Sequence, residues 1–282
     1  SMSITDWQPF QYLEQDGSKG KVTPAFYTKG LKEQDKGDET TLGVTPKLME
    51  YWKRYSPQLF VTASHATQFN LEMPFGKGLI VSGNNRFYAL DKKQFREFTT
   101  FLRGVLFNGK EDDLLSFLNR IKAPVIETRP VPAVWVAAGN CLIGDAKKTK
   151  NSMAVTALSR YGFNQLVGYT VPSWYGKGGW GTLGLLFSNH DASSLAEAWY
   201  LNNQFILDET MTRFPKLMDV HFNSPDINGI KNDPDFARGM NSAGYGMGKD
   251  QLGLIHDRDT VAFYGDPAWT ARLDESRAPS PW

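Results

Sequence analysis

The chain has a single cysteine and only four histidines in 282 residues. One thiol excludes an internal disulfide, so cysteine usage does not indicate a compartment. Neither sign of charge is in excess, since the net charge is +1 with acids and bases interspersed. No basic stripe runs along the chain, which argues against nucleic acid as a partner. No apolar run approaches the roughly 20 residues that a membrane-spanning helix needs. No internal repeat is apparent, and no signal peptide is visible at the start. The stretch Gly176-Lys177-Gly178-Gly179-Trp180-Gly181 lacks the Lys-Ser/Thr ending of a phosphate loop, so nucleotide binding is not expected.

What remains is the composition of a globular protein. Hydrophobic residues make up 41% and charged residues 22%, enough for one large domain or for a domain with a smaller satellite. The 8 Trp, 11 Tyr and 18 Phe suit a deep groove as well as a core. Two apolar runs stand out. One is Leu59-Phe60-Val61-Thr62-Ala63-Ser64-His65, and the other is Ala133-Val134-Trp135-Val136-Ala137-Ala138-Gly139-Asn140-Cys141. Each is entered through a proline and changes abruptly into small and polar residues, as a buried central strand does where it leaves a sheet. One run ends at a His and the other at the only Cys. Neighbouring parallel strands would bring His65 and Cys141 together at the carboxyl edge of the sheet, where open α/β folds place their sites. A thiol held as thiolate by a nearby base is a strong nucleophile.

The rest of the chain reads as scaffold. Residues 3–45 are polar, with Val22 to Tyr27 a candidate strand and Lys29 to Thr41 a surface loop. Thr45-Pro46 is an N-cap followed by Pro at the first helical position, opening a helix over Lys47 to Arg54. A Gly- and Pro-rich loop is expected after His65. A hairpin follows, with Leu79 to Ser82 and Arg86 to Leu90 joined through Gly83-Asn84-Asn85. Helices are expected from Asp91 through Leu106 and over Asp112 to Ile121. Beyond Cys141, the pattern predicts a loop with Lys147, Lys148 and Lys150, then a helix over Ser152 to Tyr161 stopped by Gly162. A strand over Gln165 to Val171, the Gly-rich stretch as a loop, and an amphipathic helix over Ser193 to Phe205 come next. Pro215 to Lys249 shows little periodicity, and Thr260 to Tyr264 is a last strand. Alternating helices and strands predict an α/β sandwich with a mainly parallel sheet.

The order strand-His, two helices, strand-Cys, helix, strand-Trp, Gly-rich stretch, helix resembles the caspase-like cysteine peptidases. The group includes gingipains, clostripain, legumain, separase and caspases, and the chain looks most like the gingipain-like members. The likeness rests on Ala63-Ser64-His65-Ala66 and on Gly139-Asn140-Cys141-Leu142-Ile143-Gly144. It extends to Leu166-Val167-Gly168-Tyr169-Thr170 before Trp174, to Trp180-Gly181, and to Tyr264-Gly265-Asp266-Pro267. The Cys-Leu-Ile-Gly stretch also looks like clostripain. The resemblance covers roughly residues 45–273. It implies a three-layer caspase-like sandwich with a mainly parallel central sheet flanked by helices. Residues 45–282 would be the catalytic domain, with residues 1–44 an N-terminal extension or partial first unit.

The resemblance further implies a cysteine endopeptidase acting on peptide or protein substrates through a Cys141–His65 dyad. Backbone N–H groups of Ala66 and Cys141 would form the oxyanion hole. Ser173, Trp174 and Tyr175 would form the wall of the primary specificity pocket. Export by a bacterium, secreted or periplasmic, is implied as well. Two departures matter. Ala66 stands where the family usually has Gly, though it supplies the same N–H. Gly139 stands where clostripain-like members carry an acid, so basic specificity is not supported from that position. A caspase-like sheet also needs two strands before the His strand, and only Val22 to Tyr27 offers one.

Each candidate has a plainer alternative. Cys141 could be a small buried hydrophobe, His65 a surface His, and Trp174 a core aromatic. His190, His221 and His256 are rival bases. Asp145 reads as a loop charge rather than a pocket acid. Asp226 to Asp235 is a candidate for structural calcium, but its spacing does not match the EF-hand and a surface loop is the better reading. No other cofactor or metal is expected. The alternatives to a peptidase are a catalytically inactive binding or scaffold module of the same fold, and another Cys-nucleophile amidase. The sequence does not indicate the oligomeric state.

Overall fold

The computed structural model describes residues 2–5, 11–13, 19–21, 26–27, 52–53, 59–73, 78–108, 112–127, 131–146, 151–188, 194–222, 234–246 and 248–269. Its centre is a six-stranded sheet. The strands are β1 (Met2–Thr5), β4 (Phe26–Tyr27), β5 (Leu59–Ala63), β10 (Ala133–Ala137), β11 (Phe163–Tyr169) and β12 (Val261–Gly265), in the order β12-β11-β10-β5-β1-β4. All neighbours are parallel except β11 and β12. The expected mainly parallel α/β sheet is therefore present. Beside β5 lie two earlier strands. Phe26–Tyr27 falls inside the expected strand, whereas the short Met2–Thr5 carries no alternation long enough to be seen in the sequence. The first 44 residues thus contribute to the same sheet as the rest. β2 (Gln11–Leu13) and β3 (Lys19–Lys21) form a separate antiparallel pair.

Both faces of the sheet are covered, which is why β5 and β10 are apolar at every position but Thr62. On one face Phe60, Trp135 and Leu166 pack with Trp52, Met153 and Ala157. Trp52 meets Phe60 edge-on at 5.2 Å between ring centres. On the other face Val61, Val136 and Val167 pack with Leu183, Leu186 and Ala198. The covering helices are α3 (Met153–Arg160) on the first face and, on the second, α4 (Lys177–Ser188) and α5 (Leu195–Arg213). Ser152 caps α3 by accepting from Val155 N–H, and Ser194 with Glu197 forms a capping box on α5, so both starts follow local signals.

The chain after His65 is not the expected loop. β6 (Ala66–Thr67) and β7 (Asn70–Glu72) join β8 (Gly78–Gly83) and β9 (Arg86–Asp91) in a four-stranded antiparallel sheet. Two- and three-residue strands hold too few residues to show alternation, and the turn between them is set by Thr67 Oγ1 donating to Asn70 Oδ1 at 2.6 Å. The hairpin between β8 and β9 falls where expected, with Asn84 and Asn85 both at positive φ, as a type I′ turn requires. This sheet is backed by α1 (Lys92–Asn108) and α2 (Asp112–Arg120) through Phe98, Leu114 and Leu118. Asp91 and Gln94 cap α1 reciprocally, with Gln94 N–H donating to Asp91 Oδ1 at 2.8 Å.

The Gly-rich stretch expected as a loop is instead the first turns of α4. Its glycines are there for close approach. A Cβ on Gly178 would run into Val261, one on Gly179 into the Ala138 carbonyl, and one on Gly181 into Asn202. The helix can therefore lie against the end of β10 and against α5 only if those side chains are absent. The aperiodic region also holds structure, a 3₁₀ turn at Pro215–Asp219 and α6 (Pro234–Ala243), and α7 (Lys249–Thr260) begins at its end and leads into β12. Their apolar residues serve a satellite core of Leu217, Val220, Phe236, Met240 and Ile255. The helix expected over Lys47 to Arg54 is described only at Trp52 and Lys53. The loops expected at Lys29 to Thr41 and Lys147 to Lys150 lie outside the described residues, as does most of the Asp226 to Asp235 segment.

Two glycines of α4 separate packing from propensity. Gly184 is exposed with nothing within 4 Å of the position its Cβ would take, so Gly184→Ala is expected to raise stability. The gain should approach the helix-propensity difference of about 1 kcal/mol. Gly179→Ala is expected to lower stability by about 2–3 kcal/mol despite the same propensity gain, because overpacking against backbone outweighs it. Thermal or urea unfolding of the two variants checks the opposite signs.

Candidate active site

β5 and β10 are hydrogen-bonded neighbours in parallel, with Thr62 opposite Ala137. His65 lies three residues past Thr62 and Cys141 four past Ala137, so both leave the sheet on the same edge. The structure brings the two expected residues together to that extent. His65 is exposed, Cys141 is half-buried, and no hydrogen bond joins their side chains. The Cys141 thiol lies 3.8 Å from both the carbonyl oxygen and the hydroxyl of Ser173.

Beneath this edge runs a buried polar chain that the sequence reading missed. Trp135 Nε1–H donates to Thr62 Oγ1 at 2.7 Å, and the Thr62 hydroxyl donates to Asn140 Oδ1. The Asn140 amide nitrogen then donates to the Ser64 carbonyl at 2.8 Å and approaches its hydroxyl at 3.3 Å. Ser64 Oγ–H reaches the Glu72 carbonyl at 2.8 Å, and Glu72 N–H donates to the His65 carbonyl at 2.8 Å. Thr62, Trp135 and Asn140 have no solvent exposure at all. The residue before Cys141 is thus tied to the residue before His65. The only hints in sequence were a Thr inside an otherwise apolar strand and an Asn at the end of another.

The backbone around Cys141 is held just as closely. Leu142 has φ near 59°, the left-handed region, and its N–H donates to the Val171 carbonyl at 3.2 Å. A branched side chain in that region costs of order 1 kcal/mol or more and persists only where the surroundings impose it. Gly139 is closely packed, since a Cβ there would stand 3.1 Å from Ala63 Cβ and 3.3 Å from Trp180 Nε1, tight enough that a neighbour would have to shift by a few tenths of an ångström.

Ser173, Trp174 and Tyr175 are half-buried and follow β11, beside the edge that carries Cys141. Ser173 Oγ–H donates to the Gly139 carbonyl at 3.1 Å, so this segment touches both ends of the Gly139–Cys141 turn. Tyr175 and Trp180 also line a cleft of about 550 Å³ with Lys177, Phe205 and Glu209. The single acid lining that cleft, Glu209, is paired with Lys177 and with Arg213, the latter at 2.5 Å. The Lys177 hydrogen bond holds the Glu209 carboxyl below the usual carboxylate range, against the opposing effect of burial. Arg213 continues to Asp250 at 2.6 Å, and the Tyr175 hydroxyl donates to Asp250 at 3.1 Å. Burial, reinforced by Asp250, pushes the Tyr175 hydroxyl up to about 12.

Among the rival bases, His256 is fully buried and uses both ring nitrogens, facing the Pro172 carbonyl and Asp257. His221 is exposed, 3.8 Å from Asp259. His190 lies outside the described residues. Ala66 opens β6, half-buried and paired with Leu71. Asp145 follows the Cys141 turn, with its N–H donating to the Leu142 carbonyl. It lies near the Tyr264 hydroxyl, which burial first and Asp145 second push above its ordinary value. Among the described residues no group of three or more His, Cys, Asp or Glu gathers to hold a metal ion. Among them, too, no helix is long and apolar enough to cross a membrane.

No family model, curated protein or solved structure matches the chain.

Asn140→Leu is expected to cost about 2–4 kcal/mol of stability, since it leaves the Thr62 hydroxyl and Ser64 carbonyl unpaired in a buried site. Chemical denaturation measures the loss. The conservative Asn140→Asp restores the acceptor for Thr62 but not the donor to Ser64, and should lose nearly as much.

Proposed function

We propose that the protein is a cysteine endopeptidase of caspase-like fold, a three-layer sandwich whose active site is the Cys141–His65 dyad. The observation that carries this reading is the placement of the only Cys and a His at the same edge of two adjacent parallel strands, with Asn140 bonded to Ser64 between them. The two strands that a caspase-like sheet requires before the His strand have counterparts in β1 and β4, which supports the likeness.

In this reading the Cys141 thiolate attacks the scissile carbonyl carbon, forming a C–S bond and an oxyanion. Backbone N–H groups of Ala66 and Cys141 stabilise that oxyanion, each contributing about 3 kcal/mol by analogy with measured donors. His65, protonated when the thiolate forms, gives its proton to the leaving amine as the C–N bond breaks. The product is a thioester. His65 then takes a proton from water, which attacks the thioester carbonyl, and the C–S bond breaks to release the acid and restore the thiol. Ser173, Trp174 and Tyr175 face the substrate side chain. Glu209 is already paired with two cations, so the adjoining cleft does not single out basic residues. Export from a bacterium belongs with the same reading.

The exposed, unbonded His65 favours one rival, a binding module of the same fold with no catalysis. The two readings part on reactivity. Hydrolysis of a mixed-sequence fluorogenic peptide library is expected for the wild type. Cys141→Ala and His65→Ala are each expected to lose at least about 10³-fold in kcat/KM, the usual scale for one member of a nucleophile–base pair. Iodoacetamide should alkylate Cys141 rapidly near neutral pH and His65→Ala slowly. Slow alkylation of the wild type, together with no turnover, would establish the binding module instead.

A further inference from the structure

The segment from Pro172 to Gly178 carries the proposed substrate wall, and one face of α7 holds it along its whole length. Thr260, at the end of α7, accepts from Thr170 N–H at 2.8 Å. His256 lies one turn earlier. Its Nε2 faces the Pro172 carbonyl at 3.1 Å, and since a carbonyl only accepts, that nitrogen carries a proton. Its Nδ1 lies 2.9 Å from Asp257 Oδ1. The other oxygen of Asp257 accepts from Gly178 N–H at 2.8 Å and from the Tyr169 hydroxyl at 3.2 Å. Gly179 N–H in turn donates to the Tyr169 oxygen at 3.2 Å. Between these two anchors, the Tyr175 ring lies directly on Gly253, and its hydroxyl reaches Asp250. Positions 250, 253, 256–257 and 260 recur every three to four residues, which is one face of a helix.

Asp257 thereby caps α4 from another helix. Gly178 and Gly179 are among the first residues of α4, whose N–H groups have no partner within the helix. A buried carboxylate at a helix N-terminus is favoured by the helix dipole as well. The His and the Asp have no solvent exposure. A buried polar pair adjacent in sequence can hold two points far apart on a loop only if each member has a fixed partner, and here each does.

We propose that the buried His256–Asp257 pair is the positioning device of the substrate wall. His256 fixes the start of the 172–178 segment and Asp257 fixes its end, so that Ser173, Trp174 and Tyr175 meet the substrate in one conformation. The pair does not touch the reacting atoms. It acts through the wall, and its kinetic consequence rests on the peptidase reading above.

The test compares two amides at position 256. In His256→Gln the amide nitrogen reaches the place of Nε2 and can still donate to Pro172. In His256→Asn it reaches only the place of Nδ1, so the Asp257 contact is kept and the Pro172 contact is lost. Both lose the ring. KM of His256→Asn is expected to rise about tenfold with kcat falling no more than about twofold, and His256→Gln to return KM to within about threefold of the wild type. Amide hydrogen exchange over residues 173–179 should quicken about tenfold in His256→Asn and recover in His256→Gln, as local opening would read out. Equal effects in the two variants, or no effect in either, would overturn the proposal. Tyr169→Phe probes the other anchor with little risk to folding, and faster exchange at Gly178 and Gly179 is expected. Unchanged exchange there would overturn it too. If the wild type cleaves no peptide, the peptidase reading fails alone, and exchange still decides whether the pair holds the wall.

Discussion

The Asn140 side chain does what the backbone ladder between β5 and β10 cannot. Parallel pairing aligns the strands as far as Thr62 and Ala137, then ends. Past that point two chains of small residues would be free to diverge, one leading to His65 and the other to Cys141. Asn140 accepts from Thr62 and donates to Ser64 across the gap, in full burial. In a fully buried site, an amide with both ends satisfied resists displacement, because any shift leaves a polar group unpaired. Asn140 thereby ties the residue before Cys141 to the residue before His65.

A second constraint is closeness. Gly139 abuts Ala63 and Trp180, Gly144 abuts the Gly168 carbonyl, and Gly179 abuts the Ala138 carbonyl. Together they let β11, the Cys141 turn and the start of α4 share one small volume. The outcome is that residues 173–175 stand beside the Cys141 edge although more than 30 residues separate them in sequence. Polar ties then hold what close packing brings together, from Ser173 to Gly139 on one side and from α7 on the other.

Much of this was legible in the sequence where the signal is local. The strand ends at His65 and Cys141 were visible because apolar runs stop abruptly. Asp91 and Ser152 stood at the expected helix starts and each bonds to a residue three positions on, whereas the helix expected from Ser193 is capped by Ser194. The turn at Asn84-Asn85 was visible because only a few residues tolerate positive φ in succession. The Gly-rich stretch misled for the converse reason. Local propensity disfavours a helix there, and only contact with Ala138, Asn202 and Val261 overrides it. Helix α7 escaped notice because its face toward the wall is polar, so no apolar stripe announces it.

By itself, then, the sequence determined what acts locally: the caps and turns whose partners lie within a few residues, the apolar runs that become strands, and the residues placed at their ends. It also determined the chemistry available, since one thiol and four imidazoles leave few combinations. Only the tertiary structure decided which strand neighbours which, and that Asn140 answers to Thr62, 78 residues away. It likewise decided that His256, a candidate base by residue type, is a buried partner of Pro172 and Asp257. The reason is the range of the forces. Propensity and capping act along the chain. Burial and hydrogen-bond satisfaction act through space, and take their values only once the sheet has assembled.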